Sequence, residues 1–100
     1  MALRIFWTER AKARLRDILD VIAFDNQDAA WNLARKVFQS VDRLAEFPLS
    51  GRVVPELEGS PFRERVVPPC RVIYLIRDDT MVVLVVIRAE RMLVPDLLEA

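Results

Sequence analysis

Apolar residues recur along this chain with two different periods, and the changes of period divide it into elements. Leu3, Ile5 and Trp7 alternate with Arg4 and Phe6, which predicts a first strand from Leu3 to Trp7. Thr8 suits a helix cap, with Glu9 in the positive first turn. Ala11, Leu15, Ile18 and Ile22 follow at steps of four, three and four, and Leu19 widens their stripe, so an amphipathic helix is expected to run to about Phe24. Asp25 to Asp28 interrupts the pattern, and Asp28 is the expected cap of the next helix. Trp31, Ala34, Phe38, Val41 and Ala45 then repeat at helical steps, widened by Val37 and Leu44, until Pro48 ends the helix at about Phe47. Two long helices joined by a few residues predict an antiparallel hairpin. Trp7 and Trp31, both in phase with the stripes, are expected in its core.

Leu49 to Pro61 holds both glycines and two prolines, and reads as a connecting loop. Phe62 to Val67 alternates as a strand, with Arg63, Arg65 and Val67 on one face. Pro68-Pro69 interrupts the ladder. Arg71 to Arg77 is the next strand, Asp78 to Thr80 a tight connection, and Met81 to Ile87 the last and most apolar strand. Arg88 to Arg91 closes the domain, and Val94 to Leu98 is a tail or a single helical turn. The predicted fold is α+β: one domain over 1–100, with an N-terminal strand and an antiparallel helical hairpin packed on one face of a small, mainly antiparallel sheet, in the order β-α-α-β-β-β.

One hairpin covers one face, so the other should alternate in polarity if it meets water. Met81 to Ile87 does not alternate, and Val72 to Ile76 is apolar on both sides. Hydrophobic residues make up 53% of the chain, above the usual share of about 45–50% for a soluble domain, so a strip of the open face is expected to be apolar. Either the long loop and the tail fold over it, or a partner segment does. The partner is the favoured cover, because the tail is short and partly charged. Val72, Tyr74, Ile76, Val83, Val85 and Ile87 are then its candidate contacts.

Charge and chemistry narrow the function. Fifteen basic and fifteen acidic residues cancel, which argues against a bulk electrostatic grip on nucleic acid. The basic set is thirteen Arg to two Lys, and Arg suits planar contact with carboxylate or phosphate. Cys70 is alone, so no internal disulfide forms, and no apolar run approaches membrane-spanning length. A soluble cytoplasmic protein is expected. The chain has no His, no metal-ligand spacing, no glycine-rich phosphate loop and no nucleophile motif, so no metal, cofactor or catalytic residue is assigned. Asp78-Asp79 reads as turn chemistry.

Several stretches, in order and at matching spacing over about 3–92, resemble the ParE/RelE toxin superfamily. They are Thr8 to Lys12 with Leu15 to Ile18, Arg43 to Arg52, Phe62-Arg63-Glu64 ahead of Val66-Val67, Arg71-Val72-Ile73-Tyr74, and Val86 to Arg91. The resemblance implies a toxin neutralised by a cognate antitoxin, with operator DNA engaged only indirectly through that antitoxin. RelE-like members cut mRNA on the ribosome; ParE-like members poison DNA gyrase. Beyond Lys36 there is no Lys, the only Tyr lies in an apolar strand, and Arg88 stands where many members carry His. The ParE-like branch is therefore favoured, with Arg63, Arg65, Arg88 and Arg91 as candidate target contacts. An mRNA endonuclease and a non-toxic antitoxin-binding module are the alternatives.

Overall fold

The computed structural model describes residues 2–93 and 98. β1 (Arg4–Trp7), α1 (Glu9–Asp25), α2 (Gln27–Glu46), β2 (Arg52–Val53), β3 (Arg63–Val67), β4 (Cys70–Arg77) and β5 (Thr80–Arg88) follow in order, with 3-10 turns at Pro48–Ser50 and Pro55–Leu57. The sheet order is β1-β5-β4-β3-β2; β1 runs parallel to β5 and every other pair is antiparallel. This is the predicted α+β architecture. β2 is an addition, found inside the segment read as a loop. The tail expected at Val94 to Leu98 lies outside the described residues except for Leu98.

The two helices meet more tightly than expected. Asn26 is the only residue between them. Its backbone N–H donates to Ile22 O, and its Oδ1 accepts from Ala29 N at 3.0 Å. Asn26, not Asp28, is thus the cap, since its extended backbone leaves its side chain over the first turn of α2. The buried stripe of α2 is Ala30, Leu33, Val37, Val41, Leu44 and Ala45. Val37, Val41, Leu44 and Ala45 are buried as expected, but nearer the N-terminus Ala30 and Leu33 are buried in place of Trp31 and Ala34, and Trp31 is 73% exposed, outside the core. α2 carries apolar residues over more than one helix face, and the seat on the sheet decides which are covered. Trp7 packs against the core as expected.

Thr8 joins α1 to the sheet. Its Oγ1 accepts from Ala11 N at 3.0 Å, and its hydroxyl donates to Leu84 O at 2.8 Å. Leu84 is an extra residue, because Tyr74 pairs with Val83 and Ile73 with Val85. The bulge lets Val83 and Val86 both face the helices while Val85 and Ile87 face the other way. It is one reason that the apolar pattern of β5 fails to alternate.

The other reason corrects the expected open strip. Ile73, Val85 and Ile87 form a second core with Val54 and Leu93, and Leu57, Phe62 and Leu98 pack against it. The long connection and the C-terminal segment cover this face themselves. An ion-pair network ties that cover down. Glu64, fully buried on β3, accepts from Arg71 Nε at 2.9 Å and from Arg52 Nε at 2.6 Å. Arg71 makes a bidentate pair with Glu56, both bonds 2.8 Å, and also donates to Arg91 O at 2.9 Å. Glu56 Oε2 accepts from Leu93 N at 2.9 Å.

The Arg71 hydrogen bonds hold the Glu56 carboxyl down at about 2, from an ordinary 4.5. A lowered folded value means that the carboxylate stabilises the fold above about pH 4.5 and loses that contribution as pH falls towards about 2. The thermal midpoint should therefore drop through that window, and Glu56→Gln should flatten the drop. An identical fall in both proteins would show that the acid lability resides elsewhere.

Candidate functional site

An open apolar surface lies beside β1, not on the far face of the sheet. Ile5, Phe6 and Trp7 of β1, Leu15 and Leu19 of α1, and Phe38 of α2 line an open cavity of about 620 Å³. Trp7 and Phe38 stack tilted at its base, ring centres 5.4 Å apart. Phe6 is 57% exposed and Phe38 49%. Lys12, Arg16 and Asp20 sit along its α1 side, at successive steps of four. Leu19 and Asp20 also line a second cavity with Ala23, Ala30, Trp31 and Ala34, so the two form one groove along the helical hairpin. Large exposed apolar side chains rimmed by charge mark interaction surfaces.

The residues expected to meet a partner are elsewhere. Val72, Tyr74 and Val83 are fully buried between helices and sheet, and Ile76 is partly buried against that core. Val85 and Ile87 lie in the second core. All six serve the protein's own packing, because both faces of the central strands are covered. The four arginines fall into two groups. Arg65 lines a cleft of about 360 Å³ with Arg43, Phe47 and Ser50, and Arg63 anchors the adjoining turn. Arg88 and Arg91 line a different cavity with Arg14, Asp17 and Glu90, where Arg88 pairs with Glu90 at 3.5 Å.

Sequence reasoning missed three things. It placed Trp31 inside, and so missed half of the groove. It gave Glu64 no role, although a carboxylate between Phe62 and Val66 on an otherwise apolar strand face is a signal for a buried partner. It also passed over Arg43 and Phe47, which line one cleft at the end of α2.

The turn after α2 is closely fitted. Tyr74 Oη donates to Pro48 O at 2.7 Å, and burial raises the pKa of that phenol. Burial likewise pushes the Cys70 thiol up, so it is a packing residue. Gly51 lies against Tyr74: a Cβ there would overlap the phenol oxygen and come within 2.8 Å of Glu64 O. Gly51→Ala should therefore cost about 1–3 kcal/mol, the usual range for overpacking, read as a lower urea midpoint. An unchanged midpoint would mean that the turn yields without strain. Among the described residues, no three metal-binding side chains come together. Nor, among the described residues, is any helix long and apolar enough to cross a membrane.

Comparison with known proteins agrees with this fold. The sequence model described as the ParE toxin of the type II toxin-antitoxin system parDE matches residues 5–93. A curated Sinorhizobium fredii protein, Y4kP, described as a candidate toxin, is 47% identical over 49 residues; the match spans 49% of this chain and 51% of that protein, about half its length. A structure of the chromosomal ParDE toxin–antitoxin system of P. aeruginosa superposes with a TM-score of 0.73 at 20% identity, covering 89% of this chain and 98% of that one. A copper-bound mutant toxin from Helicobacter pylori gives 0.56 at 17% identity, covering 87% and 94%.

Proposed function

The chain belongs to the ParE toxin family of type II toxin–antitoxin systems, and from that premise we propose that it arrests growth in the cytoplasm by inhibiting DNA gyrase through contact, until a cognate antitoxin occupies the groove beside β1. One observation carries the antitoxin part. The central strands are covered on both faces by the chain itself, while Phe6, Phe38 and Trp31 remain in contact with water along one continuous groove. An amphipathic helix fits such a groove. Lys12 and Arg16 lie towards β1, and Asp20 lies at the junction with the second cavity. A helix carries acidic residues most favourably near its N-terminus and basic ones near its C-terminus. The occupant should therefore enter with its N-terminal end at Lys12 and Arg16.

Action by contact rests on what the polar groups are already doing. Arg71 is neutralised by two carboxylates, and the Tyr74 hydroxyl is bonded to Pro48 O. Neither is placed to move a proton in an RNA cleavage step. Operator DNA is reached through the antitoxin and not by this chain.

The test is to express the chain alone under tight control and follow DNA, RNA and protein synthesis separately, with a supercoiling assay on purified gyrase. DNA synthesis should fall first, gyrase should stall, and co-expression of the neighbouring antitoxin gene should restore growth. Early loss of translation with intact chromosomes would favour the mRNA endonuclease. Harmless expression would favour the binding module.

A further inference from the structure

The cleft at the end of α2 has a chemistry that neither the groove nor the sealed sheet explains. Arg43, in the last turn of α2, and Phe47, the residue that caps that helix, line the cleft with Ser50 and Arg65. Phe47 is 59% exposed. Four carbonyl oxygens of the neighbouring turn are occupied. Phe47 O accepts from Ser50 N at 3.0 Å, and Pro48 O from Tyr74 Oη at 2.7 Å. Leu49 O and Gly51 O both accept from Arg63 Nη1, at 3.4 and 2.7 Å. Ser50 Oγ accepts from Arg65 Nη2 at 2.8 Å, which leaves its hydroxyl proton to donate elsewhere.

The cleft thus presents donors: two guanidinium groups and one hydroxyl. Arg43 and Arg65 make no ion pair among the described residues, unlike Arg52 and Arg71, which meet carboxylates. A site offering donors and positive charge suits a ligand that only accepts, and guanidinium planes match phosphate oxygens. Beside the charges lies an exposed aromatic ring. Cations flanking a bare ring form the pattern that holds a single nucleic-acid strand, phosphate on the cations and base on the ring.

We propose that this cleft binds single-stranded nucleic acid, with Arg43, Arg65 and the Ser50 hydroxyl on a phosphodiester and an unstacked base on Phe47. Duplex DNA fits less well, because its bases are stacked away from the ring. The site is small, so affinity is modest and falls with salt. The inference holds whichever macromolecule the toxin arrests, and needs neither gyrase nor antitoxin to be tested.

The test is fluorescence anisotropy of the purified full chain with a labelled oligothymidylate of about twelve nucleotides, within the usual site sizes for single strands. Competitors are an abasic oligomer of equal length, the corresponding duplex and an oligoglutamate peptide. Arg43→Ala or Arg65→Ala should each weaken binding about tenfold and reduce the salt slope by about 0.7, the single-strand value per phosphate contact. Phe47→Ala should weaken binding about 10- to 100-fold, the range for a lost stacking contact, and Phe47→Trp should retain it. The Phe47→Ala loss should vanish with the abasic oligomer. Arg35→Ala, exposed on α2 and outside both the cleft and the groove, should bind as the parent does. All these side chains are at least partly exposed, so thermal midpoints should stay close to the parent's. Equal binding of abasic and base-bearing oligomers, indifference to Phe47→Ala, or no binding of the oligothymidylate would overturn the proposal. So would displacement by oligoglutamate at a lower concentration than by unlabelled oligothymidylate, which would make the cleft a seat for an acidic protein segment.

Discussion

Arg71→Met should lower the stability of this domain by about 3–5 kcal/mol, because removing a buried guanidinium leaves Glu56 without a cation and Glu64 with Arg52 alone. Arg71 is 5% exposed and Glu64 0%, so water cannot easily replace the guanidinium. Glu56 would lose both of its bonds from Arg71 and keep only that from Leu93 N–H, and the Arg91 carbonyl would lose its donor. Urea unfolding should show the loss as a lower midpoint. Amide exchange at Leu93, whose N–H donates to Glu56 Oε2, should quicken by more than exchange in α2. The changes together have a different expectation. Replacing Arg71, Glu56 and Glu64 by Met, Leu and Leu removes the charges as a set, and such replacements are often neutral or stabilising. If Arg71→Met melts like the parent, the network does not hold the cover in place. If the triple change is as damaging as the single one, shape rather than charge compensation is at work.

That network also explains where the sequence was readable and where it was not. Strand and helix periods locate β1, both helices and the last three strands, because each period reflects burial along one element. Thr8 announces its helix through side-chain chemistry alone. What covers each face is a different kind of fact. The apolar runs of β4 and β5 say that both faces are covered and are silent about the cover. Here it comes from Val54, Leu57, Phe62 and Leu93, separated from those strands in sequence and brought over them by Glu56 and Arg71. Trp31 failed for a related reason. On a helix with apolar residues around much of its girth, period fixes the helix but not its rotation on the sheet. Local pattern found the elements; contacts between distant residues chose the site.

A partner surface beside β1, as proposed, changes what neutralisation would require. Were the antitoxin to cover β4 and β5, it would have to displace a built core, and binding would carry the cost of opening it. The groove beside β1 asks for no such opening. Its apolar side chains already stand in water, and interfaces of this kind usually form with small backbone movement. The arginine cleft lies at the far end of α2 from Trp31, and Arg88 and Arg91 line a cavity of their own. On the proposed reading, restraint and contact with a target would therefore use separate surfaces.

Phe6→Asp should weaken antitoxin binding about 30- to 1000-fold, since exposed aromatics that become buried on association are worth about 2–4 kcal/mol each. Phe6 is the case to choose because it stands 57% exposed on the edge strand and is absent from the two cores. Its loss should leave the thermal midpoint nearly unchanged. Trp31→Asp probes the other end of the same groove, where the ring is 73% exposed. It should weaken binding by a similar factor. The two positions line different cavities joined at Leu19 and Asp20, so an occupant that spans the whole groove should lose both contributions additively. Titration calorimetry on the parent, both single variants and the double variant decides this. If only Phe6→Asp matters, the antitoxin stops short of the hairpin end. If neither matters while the antitoxin still binds tightly, the groove is not its seat. Co-expression gives the cellular counterpart: a variant that keeps its toxicity but escapes the antitoxin should kill cells in which the parent is tolerated.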